Sequence, residues 1–216
     1  MFAPARALWM LVGTVASLQE HRAARHRRGL ERRHARPRAT LFFDLCSPYT
    51  YLAAERAERL FAGLEWQPAC TGVLHGVELG EEGMRAASQR AALLGLPLMW
   101  PDEHRCPVRG AMRVAARAAE LGCGAAFVLA ASRLAFCGGF DIDEPDILAE
   151  AAAAAGIGLR EALAAAGDVG RDGAIEQAGL ALLTAGALQL PAMRVGRLLF
   201  CGEQRLHEAA AARTAV

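Results

Sequence analysis

A chain of 216 residues with 54% hydrophobic and 22% charged side chains has the composition of a globular protein with a sizeable core, which excludes an intrinsically disordered polypeptide. The formal net charge of +1 conceals a division, because residues 1–38 hold nine Arg against Glu20 and Glu31 while the remainder holds more acids than bases. The folded portion is therefore mildly acidic, which argues against a nucleic-acid-binding domain, and the basic character belongs to a tail.

That tail comes first in the chain. Ala7 to Leu18 is an apolar run of 12 residues, short of the roughly 20 that span a bilayer, and His21 to Arg38 follows with eight Arg and three His. Three readings stay open for this basic N-terminal extension, residues 1–38. It is a helical extension packed on the domain or on a partner, a membrane-surface anchor whose apolar face sits beside a polybasic stretch, or an uncleaved signal or misassigned start.

Ala39 to Leu45 is rich in β-branched and aromatic residues and predicts a buried strand. Ser47-Pro48 then opens a helix, with Ser as N-cap and Pro at the first helical position. Tyr51, Leu52, Ala54, Leu60 and Phe61 share one face of that helix, and Gly63 stops it. Leu64 to Cys70 predicts a second strand, which Pro68 places at a sheet edge or at the strand's end. Gly72, Gly76, Gly80 and Gly83 punctuate a loop. Helices follow over Met84–Leu94, Gly110–Leu121, Gly124–Phe136, Asp146–Ala155, Leu159–Ala166 and Asp172–Ala185. Strands return only at Ala192–Val195 and Arg197–Cys201, around the hairpin glycine Gly196, before a closing helix over Glu203–Arg213. A β-α-β start and a β-β-α finish cannot bury a sheet separately. Joined into one four-stranded mixed sheet with helices on both faces they can, which makes residues 72–171 an inserted helical domain between 39–71 and 172–216.

The six cysteines, Cys46, Cys70, Cys106, Cys123, Cys137 and Cys201, form no C-x-x-C pair and no zinc-site spacing. They read as small buried hydrophobes in a reducing compartment, so no metal is expected. Neither a phosphate-binding loop nor a dinucleotide fingerprint occurs, so no nucleotide cofactor is expected. The histidines beyond the tail, His75, His104 and His207, stand far apart in sequence and give no support to a Ser-His-Asp arrangement.

The segment Phe43-Asp44-Leu45-Cys46-Ser47-Pro48-Tyr49-Thr50-Tyr51-Leu52 resembles the opening of the DsbA-like thioredoxin family. Within it the match is to the branch of 2-hydroxychromene-2-carboxylate isomerases and kappa-class glutathione transferases, whose form is F-D-x-x-S-P-Y-S-Y-L. Leu94 to Leu98 with Pro101, Asp141 to Ala149, Leu190-Pro191 and Leu199 to Leu206 continue the resemblance in the family's order, from about residue 39 to 208. It implies a thioredoxin-like α/β fold and a homodimer. It places Ser47 at the family's catalytic serine, or redox cysteine, and Thr50 at the second cysteine. It makes Pro191 the cis-proline facing the active site, with the Leu190 backbone left to pair with a thiol peptide such as glutathione. An acidic residue that holds the amino end of glutathione in the family falls at Gln204, with Glu203 one position earlier. Tyr49, Trp100 and Arg109 are the expected substrate-pocket residues.

A helix N-terminus stabilises an anion, and a Ser47 hydroxyl there can donate a hydrogen bond to a bound thiolate. The leading expectation is a cytoplasmic isomerase or transferase that uses glutathione or an equivalent low-molecular-weight thiol on a small electrophilic, aromatic substrate. Cys46 keeps two further readings in play. It is a core-pointing residue, or it is a reactive thiol beside the same helix end, which would make a thiol oxidoreductase working through Cys46 alone. A third expectation is a non-catalytic scaffold with weak membrane-surface contact through residues 1–38.

Overall fold

The computed structural model describes residues 38–70, 72–75, 80–101 and 106–215, so the readings made for residues 1–37, for Gly76 and for His104 lie outside the described residues. Strand β1, Ala39–Phe43, is buried at every position, which explains its unbroken apolar run. It lies at the centre of a mixed sheet of order β2-β1-β3-β4. β2, Glu65–Pro68, runs parallel to β1, with Thr40 opposite Glu65 and Phe43 opposite Pro68. A parallel pair needs a crossover, supplied by helix α1, Pro48–Leu60. β3, Ala192–Val195, and β4, Leu198–Cys201, form the antiparallel hairpin, and β3 pairs with β1 from Ala39–Val195 to Phe42–Ala192.

Between β2 and β3 lie α2 (Gly72–His75), α3 (Glu81–Leu93), α4 (Arg109–Glu120), α5 (Gly124–Phe136), α6 (Pro145–Ala154), α7 (Leu159–Gly167) and α8 (Asp172–Thr184), and α9 (Leu206–Ala215) closes the chain. Alternation along the strands sends side chains to two cores. Leu41, Phe43, Met193 and Phe200 enter the larger one with α1, α4, α5 and α9. Phe42 and Ala192 enter the smaller one with Leu74, Leu182 and Leu190. The helical block thus shares its main core with the sheet.

α1 buries Tyr51, Leu52, Ala53, Ala54 and Ala57 and packs against α5, which buries Phe127, Val128, Ala131 and Ala135. Alanines let the helices approach closely, and each buried Tyr or Phe contributes about 2 kcal/mol from apolar burial. Arg133 on α5 meets Glu55 on α1 at 2.6 Å. Gly124 has a packing reason of its own, since a Cβ there would lie 3.1 Å from Cβ of Trp66 on β2.

Two expectations change. The glycine-punctuated stretch is not all loop. Gly72–His75 form a helical turn, and Glu81 to Gly83 are the start of α3, where Glu81 and Glu82 suit the positive end of the helix dipole. The closing helix begins as a 3-10 turn over Glu203–Arg205 before α9 takes over at Leu206.

Candidate active site

The end of β1 leads directly into the site. Asp44 organises the turn: its carbonyl accepts from the Ser47 N–H at 3.0 Å and from the Thr50 hydroxyl at 2.7 Å, and its Oδ1 accepts from the Cys46 N–H at 3.0 Å. The Leu45 N–H points at Sδ of Met112 on α4 at 3.4 Å, which ties the turn to the helical block. Ser47 is buried, stands at the N-cap of α1 with extended backbone (φ −89°, ψ 122°), and makes no side-chain capping bond. The Thr50 N–H is met by the Ser47 carbonyl at 2.9 Å. The hydroxyl at the head of a thirteen-residue helix is therefore not spent on the helix it begins.

Leu190–Pro191 is a cis peptide, as is Cys106–Pro107. Because the β1–β3 ladder ends at Phe42–Ala192, Pro191 lies beside the end of β1 from which residues 44–47 depart. Its carbonyl accepts from the Gly202 N–H at 2.8 Å, and Gly202 has φ of +90°, a conformation open to glycine. Leu190 is buried in the smaller core.

Cys46 is not a lone thiol. It is disulfide-bonded to Cys106, with Cα atoms 5.8 Å apart. Cys46 is buried in the larger core, in line with the core-pointing reading, while its bond to Cys106 corrects the reading as a single reactive thiol; the sequence offers Cys106 only as a small buried hydrophobe. The four other cysteines are free. The pair spans 60 residues, so no spacing motif announces it; proximity arises because α4 starts against the turn.

Glu203 is fully buried, and both its oxygens are taken. Arg56 on α1 donates to Oε2 at 2.6 Å, and Arg90 on α3 makes a close ion pair with Oε1. Neither arginine was singled out in the sequence, because they lie 147 and 113 residues from their partner. Gln204, its neighbour, is exposed. Tyr49, on the first turn of α1, is half-buried, and burial followed by the Glu203 charge pushes its phenol pKa up, so it stays a proton donor. Tyr51 is core: its hydroxyl donates to the Pro97 carbonyl at 2.9 Å and receives the Cys137 thiol at 3.1 Å.

Of the expected pocket residues, Trp100 packs edge-on to Phe136 with ring centres 6.0 Å apart and donates from Nε1 to the Ser88 hydroxyl at 3.2 Å. Arg109 is largely exposed, with a 3.5 Å ion pair to Asp172. A groove of about 1010 Å³ runs along the edge strand β2, lined by Glu58, Trp66, Gln67, Gly124, Arg171 and Ile175 among others. None of its lining residues is Cys46, Ser47, Tyr49 or Pro191, so this volume and the chemistry of the turn occupy different parts of the fold.

A thioredoxin-type sheet with a serine-headed helix opposite a proline-led strand defines the class. Residues 39–212 match the DSBA-like thioredoxin domain, and the chain belongs to that family. It is similar in structure to 2-hydroxychromene-2-carboxylate isomerase, in its selenomethionine form, with a TM-score of 0.67, 19% identity, and 82% of this chain and 94% of that one covered. It is also similar to a probable DsbA oxidoreductase from Streptomyces coelicolor, with a TM-score of 0.65, 18% identity, and 83% and 89% covered. At these identities the likeness speaks for the fold. Among curated proteins, none matches the chain in sequence.

Proposed function

We propose that the protein is a low-molecular-weight-thiol-dependent isomerase or transferase acting on a small electrophilic substrate, with glutathione the first thiol to test. The observation that carries this reading is Ser47, a buried hydroxyl at the head of α1 that makes no capping bond, with Thr50 where a resolving cysteine would stand. A bound thiol supplies the nucleophilic sulfur, whose addition to a conjugated double bond permits rotation and whose elimination restores it.

The chain's own residues hold that sulfur as an anion. Ser47 donates a hydrogen bond to it, and the N-terminus of α1 contributes about half a positive charge. Thr50 keeps its hydroxyl on Asp44, so the position of a resolving cysteine carries no thiol. Tyr49, held protonated by burial and by Glu203, can give a proton to the substrate. Residues near Pro191 offer a strand end to an extended peptide backbone.

Fit is good at the thiol end and poor at the amino end. The Glu203 carboxylate that would meet an ammonium group is occupied by Arg56 and Arg90, which leaves exposed Gln204 as the neighbouring polar group. The thiol is accordingly defined by its sulfur. A thermal-shift panel of glutathione, other small thiols and their S-methyl forms tests the reading: stabilisation by at least one free thiol, and not by its S-methyl form, is expected. A panel without any stabilising thiol would refute it.

A further inference from the structure

The Cys46–Cys106 bond joins the residue immediately before Ser47 to the segment that leads into α4. Three observations bear on what it does. First, these are the two cysteines the fold brings together, while Cys70, Cys123, Cys137 and Cys201 are free. Second, the two sulfurs belong to residues of different accessibility, Cys46 being buried and Cys106 partly exposed. Third, the turn is held by more than the cross-link: Asp44 bonds to residues 46, 47 and 50, and the Leu45 N–H meets Met112.

We propose that Cys46 and Cys106 are a reversible two-electron thiol–disulfide couple, a second reactive site that exchanges with low-molecular-weight thiols and disulfides independently of Ser47. A small thiolate attacks the sulfur of Cys106, the more accessible of the pair; the bond between Cys106 and Cys46 breaks, and Cys46 leaves as a thiolate. The positive end of α1 favours that leaving group, while the Asp44 carboxylate, two residues away and bonded to the Cys46 N–H, opposes it. A second small thiolate then attacks its own kind in the mixed disulfide and releases Cys106. Two small thiols are oxidised to one disulfide, the protein pair is reduced by two electrons, and the two protons of the small thiols end on Cys46 and Cys106. Oxidation by a small disulfide is the same sequence reversed. Unlike the C-x-x-C arrangement, this couple spans two elements of the fold, so its state determines whether the turn and the α4 segment are covalently joined.

The test uses the full-length native protein, with reduced glutathione and glutathione disulfide as probes. Aliquots of the native protein are quenched with acid, unfolded and labelled with a maleimide in denaturant, and each cysteine is scored by peptide mass spectrometry. The expected result is that labels at Cys46 and Cys106 are absent in glutathione disulfide and rise together to near-complete occupancy in reduced glutathione. The far-ultraviolet spectrum of the protein should be unchanged throughout. Cys46→Ser treated with glutathione disulfide should hold a glutathione adduct at Cys106, because the thiol that would expel it is gone. If the two labels appear only when the protein is unfolded before glutathione is added, the bond is a structural cross-link and the proposal is overturned. If both cysteines label even in glutathione disulfide, the couple does not form, and the proposal is overturned as well. The wild-type titration stands alone should the variant fail to fold.

Discussion

The hydroxyl of Thr50 donates to the carbonyl oxygen of Asp44 at 2.7 Å, across the turn that presents Ser47. The same carbonyl receives the Ser47 N–H, so one oxygen sets the geometry of the helix entry. Thr50 is fully buried, and its hydroxyl thus braces the turn at the position where a redox motif places its second cysteine. Thr50→Val keeps the volume and removes the donor. We expect a loss of about 1 kcal/mol, the usual net value of such a bond, seen as a lower denaturant midpoint with an unchanged slope. An unchanged midpoint would remove Thr50 from the support of the turn.

Glu203 fastens the last 3-10 turn to α1 and α3 through Arg56 and Arg90. Taking its charge away leaves two arginines, 11% and 28% exposed at the side chain, without an anionic partner. Breaking a buried pair from one side costs on the order of 3 kcal/mol, so Glu203→Gln should unfold several degrees below wild type. Substituting Glu208, whose partner Arg205 lies with it at the surface, should leave the thermal midpoint in place.

Two carboxylates respond to acid in opposite senses. Hydrogen bonding to Arg113, with both contacts at 2.7 Å, holds Asp172 below its ordinary value of 3.8. A depressed carboxylate contributes stability that is present above 3.8 and lost as pH falls through the folded value. Burial raises Asp143, against the backbone bonds from Ala111 and Gly110 that favour its ionised form. Its ionisation therefore costs stability above its raised value, and that cost is relieved as pH falls to its ordinary range. Denaturant titrations across pH 3 to 6 should show Asp172→Asn losing part of the acid-side slope and Asp143→Asn steepening it. Parallel curves for both variants would contradict these assignments.

Gly202 has a φ of +90° and gives its N–H to the Pro191 carbonyl at 2.8 Å, so it positions the strand lead-in beside the turn. An alanine there is forced into a positive-φ, extended-ψ backbone essentially reserved to glycine, at a cost of about 1–3 kcal/mol, and crowds the Gln189 side chain. Gly202→Ala should lower the thermal midpoint and, through Pro191, weaken thiol binding more than a surface change of equal stability cost. Equal effects of the two on binding would detach Pro191 from the site.

How much of this was legible in the sequence depends on how far apart the contributing residues lie. β1, the Ser47-Pro48 helix start, the Gly196 hairpin and the four-stranded sheet follow from local pattern, while the resemblance points to Ser47 through residues 43–52 and to Pro191 through Leu190-Pro191. The start of α3 at Glu81 was missed because four glycines outweighed the acidic first turn. Cys106 was missed because 60 residues separate it from Cys46, and only the packing of α4 beside the turn brings them together. Arg56 and Arg90 are likewise ordinary surface-like arginines in sequence, made partners of Glu203 by three elements converging.

The account rests on Ser47 holding a bound thiolate, and the most direct measurement is the stabilisation given by a thiol relative to its S-methyl form, in wild type and in Ser47→Ala. The wild type should be stabilised more by the free thiol at neutral pH. Ser47→Ala should lose that preference and most of the turnover on an electrophilic test substrate, while still folding cooperatively. Undiminished thiol preference and turnover in Ser47→Ala would contradict the assignment of Ser47 as the thiol-holding group.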